Sequence, residues 1–96
     1  MLFAIICRDR PGGAGLRAEL RPKHLEWAKA YAGNIKLAGP FLSEDGQTMI
    51  GSLFLAEFPD RAAAQAFNMD DPYTLGGLFA SVEIVPWRRT LGAALD

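Results

Sequence analysis

The sequence predicts an α+β fold of the ferredoxin-like βαββαβ type: a four-stranded antiparallel sheet with two helices on one face. Three observations carry that expectation. Strand-like apolar segments and helix-period segments alternate in the order β-α-β-β-α-β, the split βαβ pattern. The first and third strand segments are apolar on both residue parities, whereas the second and fourth contain Lys36, Pro40, Glu83 and Pro86, so the first pair belongs in the middle of the sheet and the second at its edges. Two helices can cover only one face. The other would keep more contiguous apolar surface than a soluble monomer usually shows, which predicts a homodimer, extendable to a higher homo-oligomer, in which two sheets pack face to face.

Leu2 to Cys7 reads as a strand buried on both sides and ended by Arg8 and Asp9. Arg10 to Gly15 holds four turn-formers in six residues and is expected to be a flexible loop; it lacks the glycine spacing of a phosphate cradle. From Leu16 to Ala32 the pattern is helical, with Leu20, His24, Trp27, Ala28 and Tyr31 on one face. Pro22 lacks an amide hydrogen, so a helical turn at 16–20 followed by a kink and a main helix over 22–32 is expected.

Ile35 to Leu42 is a second strand, and Ser43-Glu44-Asp45-Gly46 turns the chain through an Asp-Gly hairpin signal into a third strand, Thr48 to Phe58. Pro59-Asp60 open a short helix with an acidic first turn, running through Phe67 and broken from Asn68 onward. Asp71 before Pro72 is placed to cap a single turn that ends at Gly76-Gly77. Phe79 to Val85 is the last strand, closed by Pro86-Trp87.

Composition bounds the function. Ninety-six residues suit one domain, 1–96, with a modest core, so a roomy pocket would need a second chain. Half the residues are apolar and Lys plus Arg number 10 against 11 Asp plus Glu, a near-neutral balance that lacks the basic footprint of a nucleic-acid binder. The single Cys7 cannot form an intrachain disulfide, no paired Cys/His spacing suggests structural zinc, and no membrane span or charged leader is visible. A cytoplasmic protein with a small-molecule ligand, and without nucleic-acid or membrane partners, is expected.

His24 is the only histidine and sits on the core-facing stripe rather than the solvated face of Lys23, Glu26 and Lys29. A half-buried structural imidazole and a proton-transfer group are both consistent with that position, because imidazole titrates near neutrality. A carboxylate partner would favour the second. Asp71 in its rigid Asp-Pro turn is the candidate, with helix capping as its alternative duty, and Asp70 is expected to face solvent. Gly39-Pro40-Phe41 and Gly51-Ser52 are places where missing side chains leave room for a ligand, or simply for a bulge or a packing neighbour. Arg8 could present a guanidinium fork to a carboxylate or phenolate, or form an exposed ion pair. Tyr73 and Trp87 suit core or dimer contacts as well as pocket walls, and Cys7 in its apolar strand reads as an inert thiol. One histidine with scattered carboxylates gives no metal-ligand spacing.

Taken together, Arg-Pro-Lys-His-Leu at 21–25, Ala-Gly-Pro-Phe at 38–41, Asp-Gly at 45–46, Gly51, Asp-Asp-Pro-Tyr at 70–73 and Val-Pro-Trp at 85–87 resemble the YCII-related family of the dimeric α+β barrel superfamily. The resemblance implies a ferredoxin-like protomer that pairs through its sheets, with a site around His24 and Asp71. It also implies cofactor-independent lyase or isomerase chemistry on a small, hydroxylated aromatic or oxygenated acid; the positions read above from the residues themselves, Arg8, Gly39, Phe41, Ser52 and Tyr73, are the substrate-binding candidates. A non-catalytic dimer that binds a small molecule or a protein in the same cleft is the alternative. The loop from Arg10 to Gly15 departs from the family pattern.

Overall fold

The computed structural model describes residues 1–95; Asp96, the last residue of the expected domain, lies outside them. The chain runs β1 (Leu2–Asp9), α1 (Ala14–Lys29), β2 (Ile35–Leu42), β3 (Met49–Glu57), α2 (Arg61–Asp70), α3 (Pro72–Leu75) and β4 (Phe79–Trp87). The strands form one antiparallel sheet in the order β2-β3-β1-β4. The doubly apolar strands are therefore central, and the strands with Lys36, Pro40, Glu83 and Pro86 are the edges. Pro86 is tolerated within β4 because an edge strand has one side free of ladder bonds.

Residue parity divides the sheet. Phe3, Ile5 and Cys7 of β1 and Phe54 and Ala56 of β3 are buried beneath the helices, where they join Phe58, Ala64 and Phe67, with Trp27, Tyr31 and Ile35 packed against them. Leu2, Ala4 and Ile6 lie on the opposite face in register with Trp87, Val85 and Glu83, and no helix covers them. Among the described residues, no helix is long and apolar enough to cross a membrane.

Helix α1 differs from the expected kink and restart at Pro22: it runs unbroken from Ala14 to Lys29, with Pro22 inside it, and stops short of Ala32. The physical reason is orientation. Both Pro22 and Ala18, whose carbonyl loses its amide partner, are exposed, so water can take that carbonyl while the opposite face stays packed. The loop before α1 is a tight turn rather than a flexible segment: Gly13 N–H donates to the Arg10 carbonyl at 3.0 Å, with Pro11 second and Gly12 third at φ 75°, as a type II turn requires. Helix α2 also exceeds expectation, continuing to Asp70. Its acidic residue, Asp60, lies at the N-cap rather than in the first turn and accepts from Ala63 N–H at 2.9 Å.

Where α3 meets α1 the sequence supplies Gly76. A Cβ at that position would come within 2.5 Å of Leu20 Cδ1, so the bare backbone lets the short helix lie against the long one. That approach brings the Asp-Pro turn to His24.

Candidate active site

Arg17, Arg21, His24 and Ala28 recur at four- and three-residue intervals, which aligns them on one face of α1. All four line a cleft between α1 and the β2–β3 half of the sheet. Its volume is about 240 Å³, with walls from Leu25, Ile35, Met49 and Phe54.

Asp71 is completely buried, and its Oδ1 lies 2.8 Å from His24 Nδ1. The same oxygen accepts the Tyr73 N–H at 2.9 Å, so the capping and dyad roles weighed as alternatives coincide in one atom. An ionised Asp71 can only accept, so the contact places a proton on Nδ1 and leaves Nε2 as the nitrogen available for exchange. Asp71 Oδ2 is buried without a partner among the described residues.

Two turns earlier on α1, Arg17 forms a second buried ion pair. Its Nε and Nη2 donate to the two oxygens of Asp9 at 2.8 and 2.9 Å, and Nη2 also reaches Ser52 Oγ at 2.9 Å. Burial works against the Arg17 charge, but the hydrogen bond and charge of Asp9 outweigh it and hold the guanidinium more firmly protonated than usual. Tyr73 connects the two pairs. The His24 ring stacks on it at 4.0 Å and the Arg17 guanidinium lies 4.6 Å from its centroid. Arg17 and His24 are seven residues apart, about 10.5 Å of helix, which is room for one aromatic ring between them. Burial pushes the Tyr73 phenol above its ordinary range, although Arg17 and Arg21 pull the other way.

Of the residues singled out from the sequence, His24, Asp71, Tyr73, Ser52 and Gly39 come together in or beneath this cleft. Arg8 and Phe41 do not. Arg8 sits 5.4 Å over the Phe41 ring, and both pair with Gly51 in the sheet on the face away from the helices. Gly51 makes room for that contact: a Cβ there would come 2.9 Å from the Phe41 ring and 2.5 Å from the Cys7 carbonyl. Asp70 is exposed, and Cys7 is buried with Asn68 Nδ2 3.6 Å from its sulfur. Burial pushes the Cys7 thiol up to about 12, so it is protonated and unreactive near neutrality. Among the described residues no three His, Cys, Asp or Glu side chains converge as metal ligands.

Sequence reading missed Arg17, Asp9 and Arg21. The signal for both arginines was present, since positions 17 and 21 precede His24 by seven and three residues on its own face. Asp9 carried a weaker signal, since it ends β1 on the same parity as Phe3, Ile5 and Cys7, the side that faces the helices.

A family model described as YCII-related domain matches residues 1–88. The chain is 30% identical to Protein YciI of Escherichia coli, over 93% of this chain and 98% of that one. Its structure is similar, with a TM-score of 0.87, to the 5-chloro-2-hydroxyhydroquinone dehydrochlorinase of Burkholderia phenoliruptrix AC1100, solved in complex with 2,5-dihydroxybenzoquinone. That alignment has 31% identity and covers 94% of this chain and 96% of the other. Rv0793 from Mycobacterium tuberculosis, 21% identical with a TM-score of 0.52 over 98% of this chain and all of that one, shares the fold.

Proposed function

Because this chain belongs to the YCII-related domain family of the dimeric α+β barrel superfamily, we propose that it is a small cofactor-independent enzyme of lyase or isomerase type, acting on a hydroxylated aromatic or similar oxygenated acid. The observation that carries this reading is the 2.8 Å contact between His24 and the buried Asp71 at the wall of a cleft. His24 Nε2 removes a proton from a substrate hydroxyl or from a carbon beside a carbonyl. The released electron pair moves through the conjugated ring. It then either expels a leaving group with its bonding pair, for a net loss of HX, or collects the same proton at another carbon. Asp71 fixes the ring's tautomer and stabilises the imidazolium.

The cleft suits a single ring, since an apolar cavity of about 150 Å³ holds benzene and the larger volume here leaves space for substituents. The similar dehydrochlorinase, crystallised with a dihydroxybenzoquinone, supports the same substrate class. Chloride release from chlorinated hydroxyhydroquinones, followed without oxygen, tests the reading. Replacing His24 by Ala is expected to lower turnover by about 10²- to 10⁴-fold with the fold retained. Undiminished turnover in that variant would remove His24 from the chemistry.

The uncovered sheet face is read as the homodimer interface. Leu2, Ile6, Leu37, Leu53, Leu55, Val85 and Trp87 fall on it by register, with Arg8 and Glu57 at strand ends and Glu83 on the edge strand β4 as its charged members. Sedimentation equilibrium is expected to give a dimer, and Leu55→Glu, which puts a charge into its middle, a monomer. A wild-type monomer at high concentration would contradict the assignment.

A further inference from the structure

We propose that the cleft selects substrates carrying an anionic oxygen group, a carboxylate or a phenolate, and that Arg21 is the residue that binds this charge. The proposal deepens the acid–base reading of the same cleft by naming the charge of its substrate. It grows from an asymmetry among the ionisable groups of the wall. The Arg17 charge is matched by Asp9, and His24 Nδ1 is held by Asp71. Arg21 is exposed, lines the same cleft, and has no carboxylate within salt-bridge distance among the described residues.

The two nearby carboxylates face into the protein, Asp9 towards Arg17 and Asp71 towards His24 and the Tyr73 amide, and neither lines the cleft. What a ligand meets is therefore an apolar slot with cationic groups along one wall and no anionic one. Arg21 stands one helical turn from His24, about 4.5 Å along the axis, the separation of two substituents on one aromatic ring. A ring oxygen held by its guanidinium leaves the neighbouring part of the ring at the imidazole. Charge development then works with the site. An anion in the slot stabilises the imidazolium that forms when His24 takes its proton.

Calorimetric titration with 2,5-dihydroxybenzoate and with its uncharged methyl ester tests this independently of turnover. The wild-type protein is expected to bind the acid at least about tenfold more tightly than the ester, with the preference shrinking as salt is added. Arg21→Gln is expected to abolish the preference by weakening the acid alone, and Arg21→Lys to retain part of it; substitution at this exposed position leaves the fold intact. Equal affinity for acid and ester, no binding of either, or an Arg21→Gln variant that keeps the preference would each overturn the proposal. Selective binding without turnover on any hydroxylated ring would instead sink the catalytic reading and leave this one standing.

Discussion

Two buried carboxylates, Asp9 and Asp71, each meet a nitrogen base from the same face of α1, and they are used differently. Asp9 gives both oxygens to Arg17, which spends Nε and Nη2 on Asp9 and Ser52, so neither carboxylate oxygen is left without a partner. Asp71 spends one oxygen on two donors and leaves the other without a partner, while the imidazole opposite keeps a nitrogen free at the cleft. A guanidinium holds its proton at any ordinary pH; an imidazole exchanges it. The comparison teaches that burial and ion pairing alone do not mark a reactive site. The reactive pair is the one left incomplete.

The difference can be broken most sharply at Asp71. Asp71→Asn keeps an oxygen to cap α3 but removes the charge that supports an imidazolium, so turnover is expected to fall by about 10²- to 10⁴-fold. The stability loss should stay near 1 kcal/mol, the scale of a weakened cap. Steady-state kinetics beside urea denaturation would read both, and a large loss of stability with activity preserved would place Asp71 in the structural class with Asp9.

The complementary change, Arg17→Met, strands Asp9 in the interior, where its side chain is 4% exposed. Breaking a buried pair from one side costs about 3–5 kcal/mol, so a pronounced drop in the urea midpoint is expected. The double change Arg17→Met with Asp9→Leu should recover much of that loss. If it does not, the pair contributes more than its own charge balance, through the Tyr73 stack.

The smallest effect concerns Cys7, whose folded pKa of about 12 lies above the model-compound value of 9.0 because of burial first and the charge of Asp71 second. The unfolded chain loses this proton first, so the contribution is complete below pH 9 and declines as pH rises towards 12. Cys7→Ala should flatten that alkaline limb of the stability curve. In the folded protein the thiol should resist disulfide-exchange reagents at neutral pH and react once denaturant is added; rapid labelling of the native state would mean that β1 opens easily.

How far the sequence could be read is clearest residue by residue. The parity of β1 separates Phe3, Ile5 and Cys7 from Leu2, Ala4, Ile6 and Arg8, so the outer-face position of Arg8 was legible in the strand pattern, but its guanidinium was read as a binding group instead. Pro22 misled because a proline's cost depends on whether its orphaned carbonyl meets water, and that depends on which way the helix faces. Arg17 was legible as a member of the His24 stripe. Its burial was not, because a buried arginine is intelligible only once its carboxylate partner is known.

Residue order alone determined the central and edge strands, the bare sheet face and the core-facing position of the only histidine, since strand and helix periods follow from backbone geometry that each segment carries with it. Tertiary structure decided the rest. It carried Asp71 to the imidazole across 47 positions of chain, paired Arg17 with Asp9 and left Arg21 facing the cleft. Such pairings depend on how close α3 comes to α1 at Gly76 and on where β1 releases Asp9, distances fixed only when the elements pack.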